Sequence, residues 1–106
     1  MSELPITKGE YDKSVILVDF LSEFNSKIKD NQNIENIVFI PQINGYRINF
    51  VYSDVPCVIL LSLVKNLFSV KMTVEYAYGS EKTKKFTSKN ENNNKEIIAQ
   101  LLDEHN

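Results

Sequence analysis

The sequence predicts an α+β fold, in which an antiparallel sheet of four to five strands is covered on one face by an N-terminal and a C-terminal helix. Apolar and polar residues alternate over 46–52 and 68–78, as in strands that bury one face. Apolar residues recur at helical spacing at 10–30 and 94–104. A chain of 106 residues is expected to form a single domain.

The first helix is predicted at residues 10–30. Thr7 and Glu10 have the spacing of a capping box, in which a hydroxyl and a carboxylate each satisfy a free backbone N–H. Polar residues lie on the side of this helix opposite its apolar stripe. The stripe consists of Leu17, Leu21, Phe24 and Ile28, widened by Ile16, Val18 and Phe20.

A β-hairpin is predicted over residues 35–52. Its first strand stops at Pro41, and Asn44-Gly45 is a strong hairpin signal because both residues tolerate positive φ. The second strand should bury one face. That face carries Tyr46, Ile48, Phe50 and Tyr52.

Residues 54–66 fit two structures. As a strand, the segment would be buried on both faces and turn at 65–66. As a helix, it would be capped by Ser53 or Asp54, with Pro56 in the first turn, where a missing N–H costs nothing. Branched residues favour the strand, whereas polar residues at helical spacing favour the helix, and we expect an extra helix at 54–66 with the strand left open. Those polar residues are Ser62, Lys65, Asn66 and Ser69.

The rest of the chain predicts a second hairpin and the final helix. The strand at 68–78 pairs with a Lys-rich strand at 82–88, and a polar loop leads to the helix at 94–104. The apolar face of the 68–78 strand carries Phe68, Val70, Met72, Val74, Tyr76 and Tyr78. The predicted core comprises Leu17, Leu21, Phe24, Ile28, Val38, Ile40, Ile48, Phe50, Leu60, Leu63, Val70, Met72, Val74, Ile98 and Leu101.

Composition predicts a cytoplasmic protein with no membrane contact. The net charge of −2 lacks the basic excess typical of proteins that bind nucleic acid or anionic membranes. A single cysteine, Cys57, excludes an intramolecular disulfide and fits a reducing compartment. The longest apolar run, 55–64, is far shorter than the roughly 20 residues that span a bilayer, and the N-terminal residues do not resemble a signal peptide.

No catalytic set is visible in the sequence. Cys57 and His105 are the only cysteine and histidine, whereas a zinc site needs at least three protein ligands. Cys57 lies in the most apolar run and should be a buried, inert thiol. Asp54 reads as a cap or turn residue and Glu75 as a solvent-facing one, so we expect no acid–base pair between them. We therefore expect no enzyme, no catalytic residues, no metal and no cofactor.

Two charged regions are candidate partner-binding surfaces. Between residues 65 and 89 there are six lysines and two acids, a local charge of +4, with aromatic residues interleaved. That combination can hold single-stranded nucleic acid, although lysines on an edge strand ordinarily prevent sheet-to-sheet pairing. The first helix is acidic, and such charge separation can steer a complementary partner. The candidate residues are Asp12, Asp19, Glu23, Lys82, Lys84 and Lys85.

Three functions remain open on this basis. The first is a small non-enzymatic protein-binding module, such as an inhibitor, an immunity-type neutraliser or a regulatory subunit, which binds a protein partner or forms a homodimer. The second is a nucleic-acid-binding protein that uses the lysines of 82–89. The third is a ligand-binding or enzymatic pocket in which Tyr46, Arg47 and Tyr52 would be the first polar groups.

Overall fold

A computed structural model describes residues 15–79 and 82–103, except for the side chain of Lys82. Within them, an N-terminal and a C-terminal helix flank a five-stranded antiparallel sheet, which confirms the predicted α+β class. The elements are helix α1 (Val15–Ile28), strands β1 (Ile34–Gln42), β2 (Gly45–Tyr52), β3 (Val55–Lys65), β4 (Val70–Tyr78) and β5 (Lys82–Ser88), and helix α2 (Glu91–Asp103).

The five strands lie side by side in chain order, each paired with the one before it. This order follows from short turns, because strands joined by a few residues have to pair with each other. Ser53 and Asp54 form the β2–β3 turn with φ values of 50° and 69°, the positive backbone angles that a two-residue hairpin requires. Asp54 is thus a turn residue, as predicted.

Both helices pack on one face of the sheet, which we call the covered face; the other is the open face. Residues paired directly across strands share a face, and the register aligns Ile48, Ile59 and Tyr76 on the covered face. The buried core comprises Leu17, Phe20, Phe24, Ile28, Ile34, Ile48, Phe50, Tyr52, Cys57, Ile59, Leu61, Met72, Val74, Tyr76, Ile97, Ile98 and Leu101.

Aromatic rings connect α1 to the middle of the sheet. The ring centroids of Phe24 and Phe50 are 5.7 Å apart, and those of Phe50 and Tyr76 are 6.4 Å apart. Phe20 stacks on Phe24 one turn away, with the centroids 6.2 Å apart. Offset and tilted pairs at these separations add attraction to the apolar burial itself. The predicted burial of alternate residues in β2 and β4 is confirmed.

Residues 54–66 do not form the expected helix, because Val55–Lys65 is the central strand β3. Cys57, Ile59 and Leu61 point to the covered face, and the branched residues between them lie half-buried on the open face. Branched side chains fit this pleated surface well, which outweighs the helical spacing of the polar residues. Those polar residues are exposed because they lie near the end of β3 and in the turn that follows.

Two predicted element boundaries need correction, and a third lies outside the described residues. Helix α1 is described from Val15, so its predicted first turn and the capping box lie outside the described residues. Strand β4 begins at Val70, and Phe68 belongs to the preceding turn. Helix α2 begins at Glu91, three residues early, because the Asn90 side chain accepts a hydrogen bond from the Asn93 N–H and caps the helix.

Strand β1 places its apolar residues differently from the prediction. A bulge between Glu35 and Val38 shifts the register, so that Val38 lies opposite Asn49 on the open face with 50% of its surface exposed. Ile40 is likewise only half-buried. Pro41 does not stop β1, which runs on to Gln42; as an edge strand, β1 can tolerate a proline.

The predicted core was also incomplete. Leu60, Leu21, Leu63 and Val70 are half-buried rather than fully buried. Leu60 lies on the open face because β3 presents alternate residues to the helices. The buried residues absent from that predicted core are Phe20, Ile34, Tyr52, Ile59, Leu61, Tyr76 and Ile97, whereas the predicted burial of Cys57 is confirmed.

The β1–β2 hairpin forms as predicted, but Gly45 has a different role. Asn44 has a φ of 62°, whereas Gly45 is the first residue of β2 and has no positive φ. A Cβ at Gly45 would collide with the carbonyl oxygen of Leu61 in the adjacent strand. The glycine therefore permits close approach of β2 and β3, and the asparagine provides the turn conformation.

Candidate functional site: a projecting hairpin

The β3–β4 hairpin projects beyond the strands on either side of it. Pairing with β2 ends at Ser62, and pairing with β5 begins at Met72. The Leu63 N–H still donates to the Asn44 carbonyl in the β1–β2 turn at 2.8 Å, and beyond it the hairpin strands pair only with each other, as Lys65 with Val70. At the rise of a β-strand, Val64 and Lys65 extend β3 by about 7 Å past this contact. We call residues 64–71 the finger.

The tip of the finger is held in a defined turn by Asn66. Its Oδ1 accepts hydrogen bonds from the backbone N–H groups of Phe68 (2.9 Å) and Ser69 (2.8 Å), and from the Ser69 hydroxyl (3.1 Å). The Asn66 N–H donates to the Ser69 carbonyl at 3.0 Å. Asparagine favours such turns because its side chain takes the place of a backbone acceptor. The tip residues are therefore presented in one geometry.

Two large apolar side chains occupy this turn and point into solvent. Leu67 is 91% exposed and Phe68 is 95% exposed. Val64 at the base of the finger is also exposed, and so is Ile43 in the β1–β2 turn at the same end of the sheet. Single exposed apolar residues are ordinary, but adjacent ones clustered at one end of a protein are typical of interaction sites.

A cavity of about 660 Å³ lies beside the finger. The finger forms one wall, the beginning of α1 another, and the segment between β5 and α2 a third. Its lining combines apolar side chains with asparagines and two charged groups, a mixture that suits a peptide or protein segment. The lining residues are Val15, Ile16, Asn66, Leu67, Phe68, Ser69, Val70, Lys89, Asn90, Glu91 and Asn92.

The charge around this site is positive, opposite in sign to the whole chain. Lys65 and Lys71 flank the finger tip, and Lys89 lines the cavity with Glu91. Among the described residues on the cavity side of the finger, Lys65, Lys89 and Glu91 give a formal charge of +1, against −2 for the chain. Lys65 lies opposite Val70 and Lys71 opposite Val64, so the two finger lysines lie on different faces.

The acidic candidates predicted on the first helix do not form one free surface. Asp19 accepts a hydrogen bond of 2.9 Å from the Asn94 side chain, which commits its carboxylate to a contact within the fold. Glu23 is half-buried on the same helix. Asp12 lies outside the described residues.

The lysines predicted on β5 are divided between the two faces of the sheet. Lys84 lies opposite Tyr76 on the covered-face side, whereas Lys85 lies opposite Glu75 on the open face, with its Nζ 4.0 Å from a Glu75 carboxylate oxygen. The side chain of Lys82 lies outside the described part of the chain. Tyr76 is buried in the core. The described residues of β5 therefore do not present the continuous basic, aromatic surface that single-strand binding uses.

The polar groups expected to line a ligand pocket do not converge. Arg47 lies on the open face, where its Nε donates to Asn49 at 3.0 Å. Tyr52 is buried, and its hydroxyl accepts a hydrogen bond of 3.3 Å from Asn31. Tyr46 borders a separate shallow groove of about 460 Å³ between α1 and the first two strands. The groove also includes Val18, Leu21, Ser22, Asn25 and Phe39.

Cys57 is a buried core thiol, as predicted. Burial raises its pKa, against the smaller opposing effect of a hydrogen bond from the Tyr76 hydroxyl at 3.5 Å. The thiol itself donates to the Val55 carbonyl at 3.4 Å. Burial likewise raises the pKa of Tyr76, and the neighbouring Cys57 adds to that increase. Both groups therefore stay protonated at neutral pH, and both side chains pack in the hydrophobic core.

Among the described residues, no group of three or more His, Cys, Asp and Glu side chains could hold a metal ion. Nor does any helix there combine the length and the hydropathy that crossing a membrane requires.

Fold and site together define a small α+β protein with a projecting hairpin whose tip is apolar. A comparison with known proteins finds no matching family model, no matching curated protein and no matching solved structure. What the finger does is therefore inferred from its own geometry.

Sequence reasoning missed Leu67 and Phe68, and it placed Phe68 on a buried strand face. A usable signal was present in Asn66 and Ser69, which occupy the first and last positions of a four-residue turn. A turn there places both apolar residues at its tip. How far the tip projects depends on where β2 and β5 stop pairing, which is long-range information.

Proposed function

We propose that this protein is a protein-binding module and that the finger tip is its contact surface. The observation that supports this proposal most directly is that two adjacent apolar side chains are exposed in an ordered turn. Leu67 is 91% exposed and Phe68 95%, and the Asn66 side chain holds the turn. By binding, the protein would inhibit, neutralise or regulate its partner, and which of these it does depends on what the partner is.

The energetics of the tip support this function. Transferring a large apolar side chain from water into a partner's pocket gains about 1.5–3 kcal/mol, and the tip offers two. Interfaces concentrate their energy in a few such anchors surrounded by weaker polar contacts. Because the turn is already ordered, little conformational entropy is lost when it docks.

The test is a comparison of variants in capture from a lysate of the native cells. The tagged wild-type chain is compared with the double variant Leu67→Ser, Phe68→Ser, and bound proteins are quantified by mass spectrometry. We expect at least one stoichiometric protein with the wild-type chain and at least a tenfold loss with the variant, since tenfold is about 1.4 kcal/mol and the two anchors supply more.

The matched control is Val38→Ser. Val38 is also exposed, at 50%, but lies on the open face of β1 away from the finger. We expect this control to capture the partner as the wild-type chain does. Equal capture by the tip variant, or equal loss with the control, would contradict the proposal.

A further inference from the structure

We propose, building on the protein-binding function above, that the partner presents an acidic segment with apolar side chains, and that this segment lies along the finger and enters the cavity beside it. The finger tip and the cavity share Asn66, Leu67, Phe68, Ser69 and Val70 as walls, so they form one continuous surface. A partner that buries the tip therefore contacts the cavity as well.

Charge complementarity identifies the occupant as acidic. Lys65 and Lys89 are exposed on the cavity side of the finger, and Glu91 is the one acid among the described residues that line the cavity. An interface around two apolar anchors gains specificity and association rate when opposite charges border it. The carboxylates of the partner would lie against these lysines, at the polar rim of the contact.

The same charges argue against a second copy of this chain. In a symmetric dimer joined tip to tip, each surface meets its own copy, so the lysines of one protomer would approach those of the other. Like charges placed together at an interface are unfavourable. Among the described residues, Glu91 is the one acid that lines the cavity, and the Asp19 carboxylate is bonded to Asn94 within the helix layer.

The shape of the site favours a protein segment over a lipid surface. A flat bilayer could accept Leu67 and Phe68, but it could not fill a concave space of about 660 Å³ between the finger and the helices. An extended peptide or a loop can fill such a space. The asparagines that line it, Asn90 and Asn92, can bond to the backbone of such a segment.

The first arm of the test is photocrosslinking in native cells. Benzoylphenylalanine replaces Phe68 at the tip or Asn92 in the cavity, and crosslinked peptides are sequenced by mass spectrometry. We expect both positions to capture the same protein through a segment with an excess of Asp and Glu beside apolar residues. Capture of different proteins at the two positions, a segment without that acidic excess, a second copy of this chain, nucleic acid, or no product would each overturn the inference.

The second arm reverses charge at the site. We expect Lys65→Glu with Lys89→Glu to weaken binding of the captured partner at least tenfold. The matched pair is Lys29→Glu with Lys95→Glu, exposed in the turn after α1 and on α2, and it should change binding less than twofold. If the two lysine double variants bind the partner equally well while Leu67→Ser, Phe68→Ser still abolishes binding, that result would contradict the inference of an acidic segment. It would leave the proposed protein-binding function in place. If no variant affects binding, both are wrong.

A vesicle control separates the remaining alternative. Vesicles of phosphatidylserine and phosphatidylcholine are mixed with the wild-type chain and sedimented. We expect the chain to stay in the supernatant. Sedimentation that depends on Leu67 and Phe68 would assign the tip to membranes and overturn the inference of an acidic protein segment.

Discussion

Asn94 joins three elements through one buried side chain. It is 0% exposed, and its Nδ2 donates to the Ile16 carbonyl and to the Asp19 carboxylate, both at 2.9 Å. Its Oδ1 accepts a hydrogen bond of 2.6 Å from the Ser88 hydroxyl. A buried amide is tolerated only when its donors and acceptor are satisfied, and here each of these bonds ties α2 to α1 or to β5.

We expect Asn94→Ala to lower the free energy of unfolding by about 2–3 kcal/mol, because it leaves the Asp19 carboxylate and the Ile16 carbonyl without this donor. Urea denaturation followed by far-UV circular dichroism measures the change. The control is Asn92→Ala, an exposed position two residues earlier, which should change stability by less than about 0.5 kcal/mol. Equal effects at the two positions would show that the buried network contributes nothing.

Because Cys57 and Tyr76 are buried, we expect the free energy of unfolding to change with pH in the alkaline range. Their pKa values are raised from ordinary values of 9.0 and 10.0, so the unfolded chain releases these protons at lower pH than the folded one. Below pH 9 both states are protonated and this effect is absent. Above pH 9 the unfolded state binds fewer protons, and stability falls as the pH rises.

We therefore expect the melting temperature of the wild-type chain to fall more steeply than that of Cys57→Ala, Tyr76→Phe between pH 9 and pH 11. Differential scanning fluorimetry at several pH values measures both slopes. The comparison concerns the slope, since the variant also loses packing at every pH. Parallel slopes would mean that neither group is buried as described.

Strand β3 shows how neighbouring strands decide a local ambiguity. Its sequence contains a helical spacing of polar residues and a run of branched ones, and both patterns are real. The segment forms a strand, as the branched residues favour, because β2 and β4 pair with it on either side. In β1, similarly, the apolar run could be recognised, but a bulge decided which residues face the helices.

The finger is an element whose order rests on one side chain. We expect Asn66→Ala to loosen the tip, since the N–H groups of Phe68 and Ser69 then lose their acceptor. The free energy of unfolding should fall by about 1 kcal/mol or less, because the turn is exposed. The affinity for the partner should fall severalfold, because a loosened tip has to lose conformational entropy when it binds. Hydrogen exchange at residues 66–69 and a binding titration measure the two effects.

An unchanged exchange rate at the tip in Asn66→Ala would contradict the role given to this asparagine. Ser22→Ala is a suitable control, because Ser22 is an exposed polar residue on α1 outside the finger. It should leave both exchange at the tip and partner binding as they are in the wild-type chain.

For the whole molecule, the sequence predicted the α+β architecture but did not indicate the finger. Alternation in β2 and β4 and the helical stripe in α1 each predict a buried face, and the structure combines these faces into one core. Among the charged candidates in the described part of the chain, Lys84 and Lys85 lie on opposite faces of β5, and Asp19 is bonded within the fold. A projecting finger depends on where β2 and β5 stop pairing with β3 and β4, which local patterns do not contain.

The folding core and the displayed tip are separate parts of this molecule, since Leu67 and Phe68 are 91% and 95% exposed. We therefore expect both side chains to serve the proposed binding function and to contribute nothing to folding. The most direct measurement is the free energy of unfolding of Leu67→Ser, Phe68→Ser relative to the wild-type chain, by urea denaturation. We predict a difference below about 0.5 kcal/mol, as for exposed positions in general. A loss of about 2 kcal/mol or more would contradict the claim, because such a loss is typical of side chains that are packed in the folded protein.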